Sequence, residues 1–251
     1  MWSERQSIEI FHLMFLRSFG ARVDKALFAL KGGCNLRFYH RSIRYSEDMD
    51  LDIRTMAPGT LRSNVEAVLE APAFHQGLRT QKIEIDNFTA PKQTATTQRW
   101  KISMRIGDAG VALPTKIEFS RRALEAGTEV SPVGSELIHG YKLYPVIVQH
   151  YDAAASFLQK VAALALRTET QARDIFDLDL LRNAAITTPL GDACRQLLPG
   201  AIENAMNIGY DDFRGQVVAY LEPEHQADYA DRSSWERLQE RVVASLEALQ
   251  A

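Results

Sequence analysis

Residues 31–53 read KGGCNLRFYHRSIRYSEDMDLDI, and the order of the parts in this stretch decides the fold. Its last six residues alternate, with Asp48, Asp50 and Asp52 on one parity and Met49, Leu51 and Ile53 on the other. That is a strand with an acidic face and an apolar face. Aspartate is a poor strand former and like charges on one face repel, so a divalent cation among the carboxylates would offset the cost. Residues i and i+2 stand about 6.6 Å apart along a strand, which lets their side chains converge on ions held roughly 3.5–4 Å from one another. Oxygen-only ligands favour magnesium or manganese over zinc. The competing reading is a solvated edge strand. Upstream, the apolar run Ala26–Leu30, Gly32-Gly33 and Asn35–Tyr39 read as strand, tight turn and helix. Backbone amides at such a turn can cradle a phosphate.

Working outward, Ile8, Phe11, Phe15, Leu16 and Phe19 recur at helical spacing, with Glu4, Arg5, Glu9 and Arg17 on the opposing side. After Pro58-Gly59 a helix is expected over 61–69. Strands follow at 81–86, 98–106 and 111–120, with Gly107–Gly110 as a hairpin turn between the last two. From Tyr151 the pattern becomes helical. Ala153, Phe157, Lys160, Val161, Leu164 and Arg167 form one helix, Ile175, Leu178, Leu181 and Arg182 another, and 235–249 a terminal amphipathic helix.

The 251 residues carry 29 Lys and Arg against 32 Asp and Glu, a formal charge of −3, with 46% hydrophobic residues and two cysteines. Such a chain is long enough for a sizeable core, and its composition excludes collagen, disordered tails and disulfide-stapled miniproteins. No global positive field draws it onto nucleic acid. The opening segment is too interrupted by charge for a signal peptide or membrane span, so a cytoplasmic location without membrane contact is expected. Cys34 and Cys194 are expected as reduced thiols, and neither they nor the six histidines show zinc-ligand spacing.

KGGCNLRFYH followed by RYSEDMDLDI resembles the AbiEii-type nucleotidyltransferases, toxins of type IV toxin–antitoxin systems within the polymerase-beta-like nucleotidyltransferase superfamily. A second stretch, QKVAALALRTETQARDIFDLDLL (159–181), is similar to the family's Lys-x-x-Ala…Arg…Arg-Asp-x-x-Asp-Leu pattern. The resemblance implies an α+β fold with a mixed sheet and flanking helices. It implies a nucleotidyltransferase core over 1–148, and a helical domain over 149–251 that completes the nucleotide site. Gly32 and Gly33, helped by Ser46, would hold phosphate, and Asp48, Asp50 and Glu118 would bind Mg2+ or Mn2+. Lys160, Arg173 and Asp174 would serve the nucleotide, and Asp177 would join Lys160 in catalysis. Two ions would then promote in-line transfer from an NTP to an acceptor hydroxyl, such as the tRNA 3′ end or a protein, with a cognate antitoxin as partner. Cys34 and Asn35 stand where the family usually continues Gly-Gly with Thr-Ala.

The residues alone leave several alternatives open. Lys160 and Arg167 lie two helical turns apart on one face with Leu164. Asp174 and Asp177 could orient Lys160 or act as general base, and Arg173 with Asp177 could equally be an i, i+4 surface pair. Arg37, Arg41 and Arg44 either contact phosphate or balance Glu47, Asp48 and Asp50. Lys92, Arg99, Lys101 and Arg105, interleaved with Trp100, either track an RNA backbone with one stacking aromatic or are simply solvated. Besides an enzyme, the pattern admits a nucleotide-binding interaction module without transfer, or a structural protein.

Overall fold

The computed structural model of the protein describes residues 2–107, 112–121, 126–187 and 190–250. Its first unit comprises Met1–Arg41 and Tyr45–Tyr151, and its second Ser42–Arg44 and Asp152–Ala251.

The first unit is a mixed seven-stranded sheet with helices on one face. Helix α1 (Glu4–Arg22) opens on a capping box, in which the Ser3 hydroxyl accepts from the Gln6 amide and the Gln6 side chain accepts from the Ser3 amide. Strand β1 (Phe28–Lys31) passes directly into α2 (Gly32–Tyr39), so Gly32 is the first residue of a helix as well as the turn. Then come β2 (Asp48–Ile53), α3 (Pro58–Leu69), α4 (Pro72–Thr80), β3 (Ile83–Gln93), β4 (Thr97–Ile106) and β5 (Ala112–Ser120). β6 (Thr128–Pro132), α5 (Ser135–Gly140) and β7 (Ile147–Tyr151) complete the unit. The expected hairpin residues Asp108–Gly110 lie outside the described residues.

The strand order is β3-β4-β5-β2-β1-β7-β6, with β2–β5 and β1–β7 parallel and the other neighbours antiparallel. Met49, Leu51 and Ile53 of β2, Trp100, Ile102 and Met104 of β4, and Ile117 and Phe119 of β5 are all buried in one core. Stacked Phe15 and Phe19 of α1 join them, with Phe19 5.3 Å from Phe119. The alternation of DMDLDI therefore has its physical cause: one parity packs beneath the helices and the other lines the opposite face.

One charge breaks the expected solvent side of α1. Glu9 is buried and accepts from Arg37 Nε at 2.7 Å and from the Tyr141 hydroxyl at 2.6 Å. A carboxylate can be buried where charge-assisted donors surround it. Arg37, whose guanidinium also lies over the Tyr45 ring, is thereby committed to packing α2 on α1.

The second unit is helical: α6 (Ala153–Leu166), α7 (Ala172–Leu180), α8 (Arg182–Thr187), α9 (Asp192–Arg195), α10 (Leu198–Asn207), α11 (Tyr210–Gln216), α12 (Pro223–Gln226) and α13 (Arg232–Gln250). α6 and α13 each pack on α7 and α10. The apolar stripe of α13, Trp235, Leu238, Val242 and Leu246, is buried, and Trp235 stacks on Phe213. Ser42–Arg44 joins this unit through a bridge from Arg44 to Leu221. No described helix is long and apolar enough to cross a membrane.

Candidate functional site

Register places the predicted acids on one face of the sheet. Asp48 lies opposite Lys116 and Asp50 opposite Glu118 across the parallel β2–β5 pair. Lys31 of β1 faces Asp50 from the other side, and Arg99 of β4 faces Glu118. A row therefore runs across five strands as Lys31, Asp50, Glu118, Arg99 and Lys92. Residues directly opposite each other in neighbouring strands share a face and interact as pairs.

Each outer acid has a cation. Lys116 Nζ is 2.9 Å from Asp48, Arg99 Nε is 2.5 Å from Glu118, and Lys31 Nζ is 2.5 Å from Asp52. Asp50, in the middle, has no ion-pair partner among the described residues. Burial raises its carboxyl above the usual aspartate range. Lys116 and Lys31 oppose that rise, while Glu118 and Asp48 reinforce it. Gly32 sits against this group with φ +67°, and a Cβ on it would lie 3.3 Å from Asp50 Oδ2. Glycine is thus required both for the backbone conformation and for close approach to the carboxylate.

Three hard oxygen donors on neighbouring strands, one of them half-buried and without an ion-pair partner among the described residues, fit a divalent cation in donor chemistry. Their ligand atoms are not drawn together: among the described residues only Glu222, Glu224 and His225 offer three such atoms within 4.8 Å of one another. Asp48 and Glu118 are instead paired with Lys116 and Arg99.

Asp52 is a different kind of residue. It is 4% exposed and accepts from Lys31 and, at 2.7 Å, from the Tyr151 hydroxyl. The repulsion expected for three aspartates on one face is thus relieved at this end by a built-in lysine. Ser46 donates its hydroxyl to the Asp48 carbonyl at 2.9 Å, which commits its hydrogen to the backbone. Asn35 donates to the Tyr151 carbonyl, and its Oδ1 lies 3.1 Å from Nδ1 of buried His150, so it fastens α2 to β7. Local pattern carries no signal for that bond, because its partner lies 116 positions away.

Of the two readings of the basic strand, the one with a base-stacking aromatic is overturned. Trp100 is fully buried on the apolar face and cannot stack on a base, and Arg99 and Arg105 pair with Glu118 and Asp86. A tryptophan between outward charges on a strand must point inward. Of the three arginines near the acidic strand, Arg37 serves Glu9 and Arg44 serves Asp177, so neither balances Asp48 or Asp50.

In the second unit, Lys160 Nζ lies 2.8 Å from Asp174 and 2.6 Å from Asp177, and both carboxylates are fully buried. Arg44 reaches Asp177 at 3.3 Å, and Arg167, which caps the end of α6, reaches Asp174 at 2.9 Å. Burial alone would push Asp177 up, but Arg44 and Lys160 outweigh it and hold the carboxyl below its ordinary value. Burial likewise opposes the charge on Lys160, and Asp177 and Asp174 overcome it, raising the ammonium's pKa. A depressed carboxyl is a weak base, so this geometry favours orienting Lys160 over general-base work for Asp177. Arg173 is half-buried and makes no ion pair with Asp177 among the described residues, so the i, i+4 alternative does not describe the pair.

No curated protein matches the chain. Among solved structures, a candidate nucleotidyltransferase from H. pylori is 17% identical, with each chain covered over 100% and a TM-score of 0.63. JHP933 from Helicobacter pylori is 18% identical, with 98% of each chain covered and a TM-score of 0.57. At these identities the likeness shows the fold, which is the mixed sheet with flanking helices and a helical C-terminal region. The family model for the nucleotidyl transferase AbiEii toxin of type IV toxin–antitoxin systems matches residues 15–249, and the chain belongs to that family of nucleotidyltransferases.

Proposed function

We propose that this nucleotidyltransferase is metal-dependent, and that Asp48, Asp50 and Glu118 hold Mg2+ or Mn2+ while a nucleotide passes from an NTP to an acceptor hydroxyl. The observation that carries this is the pairing of Asp50 with Glu118 in register, with the backbone of Gly32 pressed against the same carboxylate. Divalent ions there would supply Lewis acidity, lowering the pKa of the attacking hydroxyl and neutralising charge on the α-phosphate and the leaving pyrophosphate.

The chain's own residues do the rest. Asp48 and Glu118 turn from Lys116 and Arg99 toward Asp50, which gathers three carboxylates and leaves two cations beside them for phosphate oxygens. The amides of Gly32 and Gly33 open α2 and suit a phosphate through hydrogen bonding and the helix dipole. In the second unit, Arg44, Lys160 and Arg167 stand against Asp174 and Asp177, a surplus of one positive charge. Its solvent-reaching member is Arg167, whose side chain is 40% exposed. We assign this cluster to triphosphate binding, with Lys160 held in place by its two aspartates, and add Arg173 to the nucleotide-binding residues.

Family membership implies an antitoxin partner and an NTP substrate. We take the acceptor to be an RNA end such as the tRNA 3′ terminus, with a protein hydroxyl as the competing acceptor. Incubation with each α-labelled NTP, Mg2+ and either total RNA or lysate protein tests this. Label from one NTP entering RNA is expected. Label entering only protein would move the acceptor assignment, and no transfer from any NTP would overturn the proposal.

A further inference from the structure

Directly behind the acid row, inside the apolar core, runs a chain of polar side chains. Thr115 of β5 is 5% exposed and lies on the core face beside Ile117, where a hydroxyl would be costly without partners. Its Oγ is 2.6 Å from the Glu47 carbonyl, which can only accept, so Thr115 donates there. The same Oγ is 2.8 Å from Nε2 of His12, a fully buried residue of α1. With its one hydrogen spent, Thr115 accepts, and His12 carries its proton on Nε2. Burial lowers the His12 pKa to about 3, so the ring is neutral and Nδ1 is bare. Cys34 of α2 donates its one thiol hydrogen to the Asp48 carbonyl at 3.3 Å, and its sulfur lies 3.5 Å from that Nδ1.

We infer that His12, Thr115 and Cys34 are positioning residues for the cation site: their directed hydrogen bonds fix the Glu47 and Asp48 carbonyls at the entry of β2 and so aim the Asp48 carboxylate. This inference rests on the metal reading of the acids. Side chains of β5 and α2 reach two consecutive peptide groups, and His12 of α1 lies against both of those side chains from within the core. Misplacement of catalytic groups by about 1 Å can cost on the order of a hundredfold in rate, so a fixed strand entry has functional value.

The test is Mn2+ affinity, read by electron paramagnetic resonance on the full chain together with thermal denaturation. The series is wild type, Thr115→Val, Thr115→Ser, Asp50→Asn, and Val68→Ala as a core substitution remote from the relay. Thr115→Val keeps the shape but leaves Glu47 and His12 without their partner, and is expected to weaken Mn2+ binding about tenfold. Thr115→Ser restores it to within about twofold, because the hydroxyl alone is needed. Val68→Ala, with a comparable thermal loss, leaves Mn2+ binding unchanged.

Wild-type affinity in Thr115→Val, or equal weakening in Val68→Ala, overturns the inference. If Thr115→Val does not fold, Cys34→Ala carries the test, with about threefold weakening expected because the Thr115 bond to Glu47 survives. Unchanged binding in Cys34→Ala would then overturn it. Wild type that binds no Mn2+ sensitive to Asp50→Asn is a distinct result: it removes the metal reading and the positioning role together.

Discussion

Replacing Asp50 with asparagine is expected to make the protein more stable and to abolish its chemistry. Asp50 and Glu118 face each other across neighbouring strands, which stand about 4.8 Å apart. Two unit charges at about 5 Å repel by about 3 kcal/mol at an effective dielectric near 20. Lys116 and Lys31 each favour ionisation by less than burial opposes it but by more than Glu118 does; with burial as the leading cause the net shift remains upward, so an ionised Asp50 costs the fold stability. A net gain of about 1 kcal/mol for Asp50→Asn corresponds to a rise of roughly 2–4 °C in Tm for a chain of this size.

The sign with pH follows. A carboxyl whose folded pKa is raised destabilises the fold when ionised, fully above its folded pKa and not at all below its unfolded value of about 3.9. The stability gap between the two proteins should therefore close as pH falls toward about 4. The assay is differential scanning calorimetry in EDTA at pH 7 and pH 4, beside NTP transfer in Mg2+. Saturating Mn2+ should raise the Tm of wild type and leave Asp50→Asn unmoved. A variant less stable than wild type at pH 7, or one that keeps transfer within tenfold, would refute the reasoning.

Other substitutions separate structural acids from functional ones. Asp52→Asn strips the partner from Lys31 and is expected to cost about 1–3 kcal/mol in denaturant unfolding while transfer is retained. Gly32→Ala forces a Cβ at φ +67° against the Asp50 carboxylate. It should cost about 1–2 kcal/mol by the same measurement and lower transfer well beyond what the stability loss explains. Lys160→Met leaves Asp174 and Asp177 with only Arg167 and Arg44, and about 3 kcal/mol should be lost in urea titration of the helical unit. Asp177 is held below, and Lys160 above, its unfolded pKa. Their pairing should therefore stabilise the unit at full strength between about pH 5 and pH 9, fading as pH falls through the Asp177 pKa and as it rises through that of Lys160. A pH series of midpoints checks this.

Much of this was legible in residues 31–53. Period-two alternation is a backbone property, so the sidedness of Asp48 and Asp50 followed from the sequence, and the sheet places Glu118 on the same side. What could not be read is how each charge is matched. Asp52 looked equivalent to its neighbours, but Lys31 and Tyr151, 21 and 99 positions away, make it structural. Glu9 looked solvated, yet Arg37 and Tyr141 pay for its burial. Strands β6 and β7 escaped because each has five residues and no strong alternation, so only the neighbouring strand defines them. The expected strand over 81–86 extends to Gln93, its register shifting between Ile85 and Asn87 and again between Thr89 and Lys92. Such irregularities blur period two. His12 and His150 lack ligand spacing, and their roles are instead hydrogen bonds to groups distant in sequence.

Anomalous diffraction from crystals soaked in Mn2+ tests the central claim most directly. The account predicts a peak about 2.2 Å from carboxylate oxygens of Asp50 and at least one of Asp48 and Glu118, with Lys116 or Arg99 swung aside. A manganese peak only at the surface group Glu222, Glu224 and His225, with Asp48 and Glu118 still bound to their cations, would contradict it.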